Sequence, residues 1–402
     1  MKLLVVSQII RCTSASVSLL GSTTIALMII RYPRGLKSIY SRIIFGLSIF
    51  DIFQSLWILT SPFLSPSNDD DLPQGLWSRG TTGSCEAIGF IGLLGSSGIP
   101  LYTLFLTFYF LLKVKYKVDL DEFSKKKEWI FHSFIWVFGL IGATHALAKQ
   151  EINPTRNGSL CTLVPKPFNC WIDDSVECTR GPNALMTGAI FLSIPLVIIF
   201  ILLIVFLGML TQYVFQQEKL IHMQANAYRV SNENDAFDDR SDTEERIPDE
   251  GTVSIVELVE KIRQEESEAM ESSNIPKEED AIEQVRNETI PNSIQNITRP
   301  LSITRQSFHQ SFLYILAFFL VWSLPVYFFF ASLRKSTTGV KDWFFLTLSI
   351  FFPASGFFNI LIYTRPKILL LQRAHPNTRW IQRFSAVVIA GGEMPTILDE
   401  ID

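Results

Sequence analysis

Of the 402 residues only 18% are charged, while 48% are hydrophobic and 32 are Phe. The apolar residues fall in blocks long enough to cross a hydrocarbon layer about 30 Å thick, so a string of two or three ordinary soluble domains is excluded. The formal net charge of −4 is an average over a basic part and an acidic part of the chain, and the class expected is a membrane protein.

Taken in chain order, seven blocks read as spanning helices: Ser7 to Ile30, Tyr40 to Leu64, Cys85 to Leu112, Trp129 to Ala148, Ala184 to Phe215, Phe312 to Leu333 and Trp343 to Tyr363. Helices are expected because only they satisfy their own backbone hydrogen bonds where no water enters. The strict alternation of a barrel strand is missing. The opening MKLLVVSQII is apolar through to Ile30 with no small-residue cleavage site, and reads as a retained signal-anchor.

Cations near helix ends stay in the cytoplasm. They gather after the first block (Arg31, Arg34, Lys37, Arg42), after the third (Lys113, Lys115, Lys117, Lys125, Lys126, Lys127) and after the seventh (Arg365, Lys367, Arg373, Arg379, Arg383). The N-terminus is therefore expected outside and the C-terminus inside. The organisation expected is helices 1 to 5 over residues 1–215, an acidic third cytoplasmic loop over 216–306, helices 6 and 7 with the start of a further helix over 307–372, and a tail over 373–402. From Gln216 to Gln306 there are 21 acidic and 10 basic residues, a net charge of −11 that leaves +7 on the rest. From Arg229 to Arg299 this loop is too polar to bury a core and is expected to be disordered. Within it, Ile255, Leu258, Val259 and Ile262 could line a transient helix, and Ser231, Ser241 and Thr243 suit kinases that favour acidic flanks. Past the seventh block, Ile368 to Leu371 with Lys367 and Arg373 would form a short helix along the membrane surface.

Four of the five cysteines, Cys85, Cys161, Cys170 and Cys178, fall on the outer side, where disulfides persist. They allow three pairings. The one expected joins the top of helix 3, Cys85, to Cys161, leaving Cys170 with Cys178. Asn157 lies in an outward-facing NGS sequon and is a glycosylation candidate, whereas Asn287 and Asn296 fall in the cytoplasmic loop. No cluster of metal ligands is expected, and no cofactor.

Few polar groups enter the spans, and those that do suggest function by default. Asp51 lies deep in helix 2, where it is expected to face the bundle interior and meet Ser22 and Asn359, with water or a cation among them. In helix 3, Gly89, Gly92, Gly95 and Gly98 recur every third residue, a spacing that favours close helix packing. Pro100, Pro195 and Pro325 would weaken helices 3, 5 and 6, and Trp322 stands one turn from Pro325.

These residues together resemble the G protein-coupled receptors. Asn359 to Tyr363, NILIY, resembles the Asn-Pro-x-x-Tyr motif of rhodopsin-like receptors, with Ile360 in place of the proline and Pro353 upstream. LSIFD, ending at Asp51, resembles the helix 2 motif of that family, GSTTIALMII resembles its helix 1 motif with Ser22 in the Asn place, and VWSLP resembles the Cys-Trp-x-Pro motif of helix 6. In whole-chain texture the sequence is similar to protist cyclic AMP receptors, through SVSLLGSTTIALMI, YSRIIFGLSIFDI and GFFNILIYTRP. One departure stands out: helix 3 ends LTFYFLLKVKYK, with no Asp-Arg-Tyr, so the usual ionic latch to helix 6 is not implied.

The resemblance implies a seven-transmembrane, all-α bundle in the plasma membrane that senses an extracellular ligand and signals to a heterotrimeric G protein. Its switch would comprise Ser22, Asp51, Trp322, Pro325, Asn359 and Tyr363. Lys113, Lys115 and Lys117 would meet the G protein or anionic lipid, kinases or arrestin-like proteins would meet the acidic loop, and nucleic acid is not among the partners. A cyclic nucleotide would need a cation, for which Lys149, Arg156, Lys166, Arg180, Arg334, Lys335 and Lys341 are candidates. A retinal-linked pump would need a lysine within WFFLTLSIFFPASGFFNILIY, which has none. The competing expectation is a non-signalling membrane scaffold or a transporter-like protein; an enzyme is not expected.

Overall fold

The computed structural model describes residues 2–31, 35–67, 77–116, 127–155, 160–167, 170, 175–238, 292–333 and 342–390, with the backbone alone at 2–4, 221–222, 224–238, 292–305, 328–329, 331–333, 342 and 390. Helix α1 runs Lys2–Arg31, α2 Ile39–Leu64, α3 Thr82–Leu111 followed by a π turn over Leu112–Tyr116, and α4 Trp129–Ala148. Helix α5 comprises Ala184–Gly188, a π turn Ala189–Ser193 and Ile194–Asp238. Next come α6, Asn292–Leu333, and α7, which joins Asp342–Phe351 through a 3-10 turn, Phe352–Ala354, to Ser355–Ala374; α8 is Trp380–Ala390. Between α4 and α5 a short antiparallel hairpin pairs β1, Ile152–Pro154, with β2, Cys161–Leu163, so that Ile152 faces Leu163.

Among the described residues seven helices are long and apolar enough to cross a membrane. The protein is a multi-pass membrane protein built as a seven-helix bundle. Its outer faces are apolar for the same reason its core is: Ile190, Ile194, Ile198 and Ile201 on α5, and Ile130, Phe134, Val137 and Ile141 on α4, recur every three or four residues and stay exposed. Such a stripe needs lipid rather than water against it.

Helix α3 occupies the middle, against α2, α4, α5 and α6, while α1 closes the bundle between α2 and α7. Small residues set the spacing. A Cβ added at Gly98 would lie 1.9 Å from the Phe50 ring, and one at Gly95 2.6 Å from the Gln54 backbone nitrogen, so α3 meets α2 at backbone distance. At the α1–α7 seam, a Cβ on Gly356 would come 2.1 Å from Ser22 Oγ. There the Gly356 N–H donates to Ser18 Oγ at 2.9 Å, which also accepts from Ser55 Oγ at 3.1 Å.

Three expectations about element ends need correction. The apolar run of helix 5 does not stop the helix at Phe215: α5 continues to Asp238 and α6 begins at Asn292, so part of the segment read as disordered is helical. Gln216, Gln217, Glu218 and Lys219 are good helix formers, and a helix can propagate into water once the membrane has nucleated it. The remainder of that loop, with Ser241, Thr243 and Ile255 to Ile262, lies outside the described residues. Nor is there a separate surface helix at Ile368 to Leu371, because α7 runs through Pro366 to Ala374. The helix that follows is α8, whose Ala386 and Val387 pack on Met28, Ile368 and Leu371.

Candidate functional site

Near the middle of the bundle, Asn359 Nδ2 donates to Asp51 Oδ2 at 2.5 Å, joining α7 to α2. Asp51 is 1% exposed and Asn359 7%. The hydroxyls of Ser22 on α1 and Ser355 on α7 face the same carboxyl. Among the described residues only the Asn359 contact reaches hydrogen-bond geometry, however, and Asp51 Oδ1 and Ser22 Oγ have no hydrogen-bond partner. Buried oxygens without partners carry a desolvation cost that water or a cation beside them would relieve.

Above this contact sits Trp322, buried on α6, stacked on Phe318 with ring centres 6.2 Å apart and edge-on to Phe352 at 5.5 Å. Trp322, Ser355 and Asn359 line one small cavity of about 10 Å³, so the indole and the amide face a common space. On its other side Trp322 floors a larger cavity of about 180 Å³, walled by Trp57, Ser96, Ser193, Pro325 and Phe352 and reached by Thr162 of β2. Its polar side chains are the hydroxyls of Ser96, Thr162 and Ser193 and the indoles of Trp57 and Trp322. No Lys, Arg, Asp or Glu lines it among the described residues.

The roof is held from two directions. Disulfides join Cys85 to Cys161 and Cys170 to Cys178. The Trp57 indole N–H donates to the Cys161 carbonyl at 2.7 Å, tying helix α2 to the same point of β2. Asn153 braces the hairpin by donating to the carbonyls of Gln150 and Val164 at 3.1 and 2.9 Å. Arg180, one of the candidate cations for a phosphate, forms an ion pair with Glu86 instead. Asn157, Arg156, Arg334, Lys335 and Lys341 lie outside the described residues.

At the cytoplasmic end Tyr363 is not part of the Asp51 contact; it stacks on Tyr40 of α2, ring centres 6.2 Å apart and 14° from parallel. Lys113 and Lys115 fall on the π turn that ends α3, Lys113 exposed, whereas Lys117 lies outside the described residues. Sequence reasoning missed a second polar cluster here. Arg42 grips both carboxylate oxygens of Glu128 at 2.6 Å and donates to the carbonyls of Leu36 and Lys37, while His132 bridges Glu128 at 3.4 Å and the Tyr102 hydroxyl at 2.9 Å. Arg42 was legible only as one of several cytoplasmic cations, and nothing in local spacing pairs it with a residue 86 positions away.

No family model matches the chain, and no curated protein does. Among solved structures, squid rhodopsin matches with a TM-score of 0.51 and 13% identity, over 98% of this chain and 86% of that one. The fold is the rhodopsin-like seven-helix bundle. At this identity the likeness speaks for the fold. Within the bundle, Trp322 lines both the larger cavity and the small one shared with Asn359, and so stands between the larger cavity and the buried contact of Asn359 with Asp51.

Proposed function

We propose that this chain is a G protein-coupled receptor of the plasma membrane, in which a ligand enters from outside above Trp322 and the cytoplasmic part of α6 moves to admit a heterotrimeric G protein. The observation that carries the reading is the buried amide–carboxyl contact between Asn359 and Asp51, separated from the outward cavity by Trp322. Hydrogen bonds between membrane helices are worth about 1 kcal/mol, so two arrangements of such a contact lie close in energy and a ligand can shift their populations.

The cavity walls favour a neutral, largely apolar ligand with one or two hydrogen-bonding groups for Ser96, Thr162 and Ser193. A cyclic nucleotide, suggested by the likeness to protist cyclic AMP receptors, is the poorer fit, since its phosphate would want a cation that the described walls lack. Lys113, Lys115 and Lys117 are the proposed contacts for a G protein or anionic lipid, and kinases or arrestin-like proteins would act on the acidic loop. The second reading, a non-signalling scaffold or transporter-like protein, is separated by one assay. Full-length protein in lipid nanodiscs is mixed with a panel of G proteins and screened for ligand-stimulated nucleotide exchange. A neutral ligand that accelerates exchange, and loses its effect in Trp322→Ala, is the expected result. Failure of every G protein to respond, with basal exchange unchanged in Asp51→Asn, would remove the receptor reading.

A further inference from the structure

At the cytoplasmic end of the bundle four helices converge on one phenol. Tyr40 of α2 accepts a hydrogen bond from Gln310 Nε2 of α6 at 2.6 Å, and its hydroxyl lies 3.4 Å from that of Tyr314, one turn further along α6. The Tyr40 ring packs on Tyr109 and Phe110 of α3, centres 6.2 and 6.0 Å away, and stacks on Tyr363 of α7. Tyr109, Phe110 and Tyr314 are all buried. The stretch FYFLL at the end of α3 thus supplies aromatic surface where a charged latch might have been sought.

We propose that the Tyr40 hydroxyl is the latch that holds α6 in the closed bundle, a neutral substitute for an ion pair. This rests on the reading that α6 moves in signalling. The chemistry suits the task. A phenol has one donor and two acceptor sites, so Tyr40 can accept from Gln310 and donate to Tyr314 at once. Among the described side chains no ion pair reaches α6; those at this end join Arg42 of α2, Glu128 just before α4 and His132 of α4. Both α6 partners of Tyr40 lie four residues apart, on one face, so a single outward movement of the helix releases both. The ring remains packed between α3 and α7 when that happens, because its stacking partners are on those helices and not on α6.

The test uses full-length protein in nanodiscs, with Cys12→Ser to remove the free thiol and spin labels at Trp129→Cys on α4 and His309→Cys on α6, both exposed positions. Pulsed electron spin resonance then reads the α4–α6 separation without any ligand. Tyr40→Phe keeps the ring and deletes the hydroxyl; the ratio of long to short separations should rise about three- to fivefold, the yield of one membrane hydrogen bond. Gln310→Leu, which leaves the longer Tyr40–Tyr314 contact in place, should give a rise no larger than that, and the double variant no more than Tyr40→Phe alone. If Tyr40→Phe is not recovered folded, Gln310→Leu and Tyr314→Phe carry the test. Unchanged separations in the folded variants would overturn the latch. Widened separations without faster nucleotide exchange on any G protein would uphold the latch and defeat the receptor reading.

Discussion

Trp57 and Cys161 are 104 positions apart, yet the indole N–H of one donates to the backbone carbonyl of the other at 2.7 Å. Cys161 is also the residue linked to Cys85 at the top of α3, so one point of the β2 strand is tied covalently to α3 and by hydrogen bond to α2. The outward cavity is bounded by both, through Trp57 itself and through Thr162, the next residue of the strand.

Trp57→Phe should preserve the packing on Phe352 but leave the Cys161 carbonyl unpaired, at a cost of about 1–2 kcal/mol. The thermal midpoint in detergent should fall by a few degrees, and any ligand found by the exchange screen should bind more weakly to the variant.

Asn359→Ala deprives the Asp51 carboxyl of its direct partner, whereas Asp51→Asn leaves an amide able to bond the Asn359 side chain. The first change should reduce ligand-stimulated exchange at least threefold, the second less, with surface expression of both near the parent. Flow cytometry and nucleotide exchange on the same cells check this. Equal loss of expression in both variants would assign the contact to folding alone.

Gly356→Ala places a methyl group 2.1 Å from Ser22 Oγ and 2.4 Å from the Ser18 carbonyl oxygen, which α1 cannot accommodate without moving off α7. Overpacking of this kind costs about 1–3 kcal/mol. Gly208→Ala is the control, since nothing lies within 4 Å of a Cβ there, and it should leave the thermal midpoint unchanged or slightly raised.

Glu128→Gln removes a charged, two-pronged acceptor from Arg42, whose side chain is 28% exposed and partly screened. About 2 kcal/mol is the expected loss. The double variant Arg42→Gln with Glu128→Gln should lose less than the two single changes combined, a coupling that thermal melts of all four proteins would display.

Much of the architecture is legible in the sequence. The seven spans are apolar runs, and a run is a local property that can be counted along the chain. Asp51 stood out because a carboxyl in an apolar helix is costly wherever its partner lies. Tyr40, Tyr109, Tyr314 and Gln310 did not stand out, since aromatic and amide residues near a helix end are common at the membrane interface and carry no sign of whom they meet. Ser18 and Gly356 were silent for a similar reason: a small residue shows its purpose only once the backbone opposite it is known. The ends of α5 and α7 are not legible in this way, because hydropathy marks where lipid stops, and a helix need not stop there.

Taken alone, the order of residues settled how many times the chain crosses the bilayer, which side its cations favour, and which few polar side chains are sunk in hydrocarbon, because each of these follows from transfer free energies summed over neighbours in the chain. The folded bundle decided who touches whom: Asn359 with Asp51, Trp57 with Cys161, Arg42 with Glu128, and Tyr40 with Gln310. Those pairings depend on helix rotation and spacing, which are set by side chains interlocking across the bundle, and no local pattern encodes them.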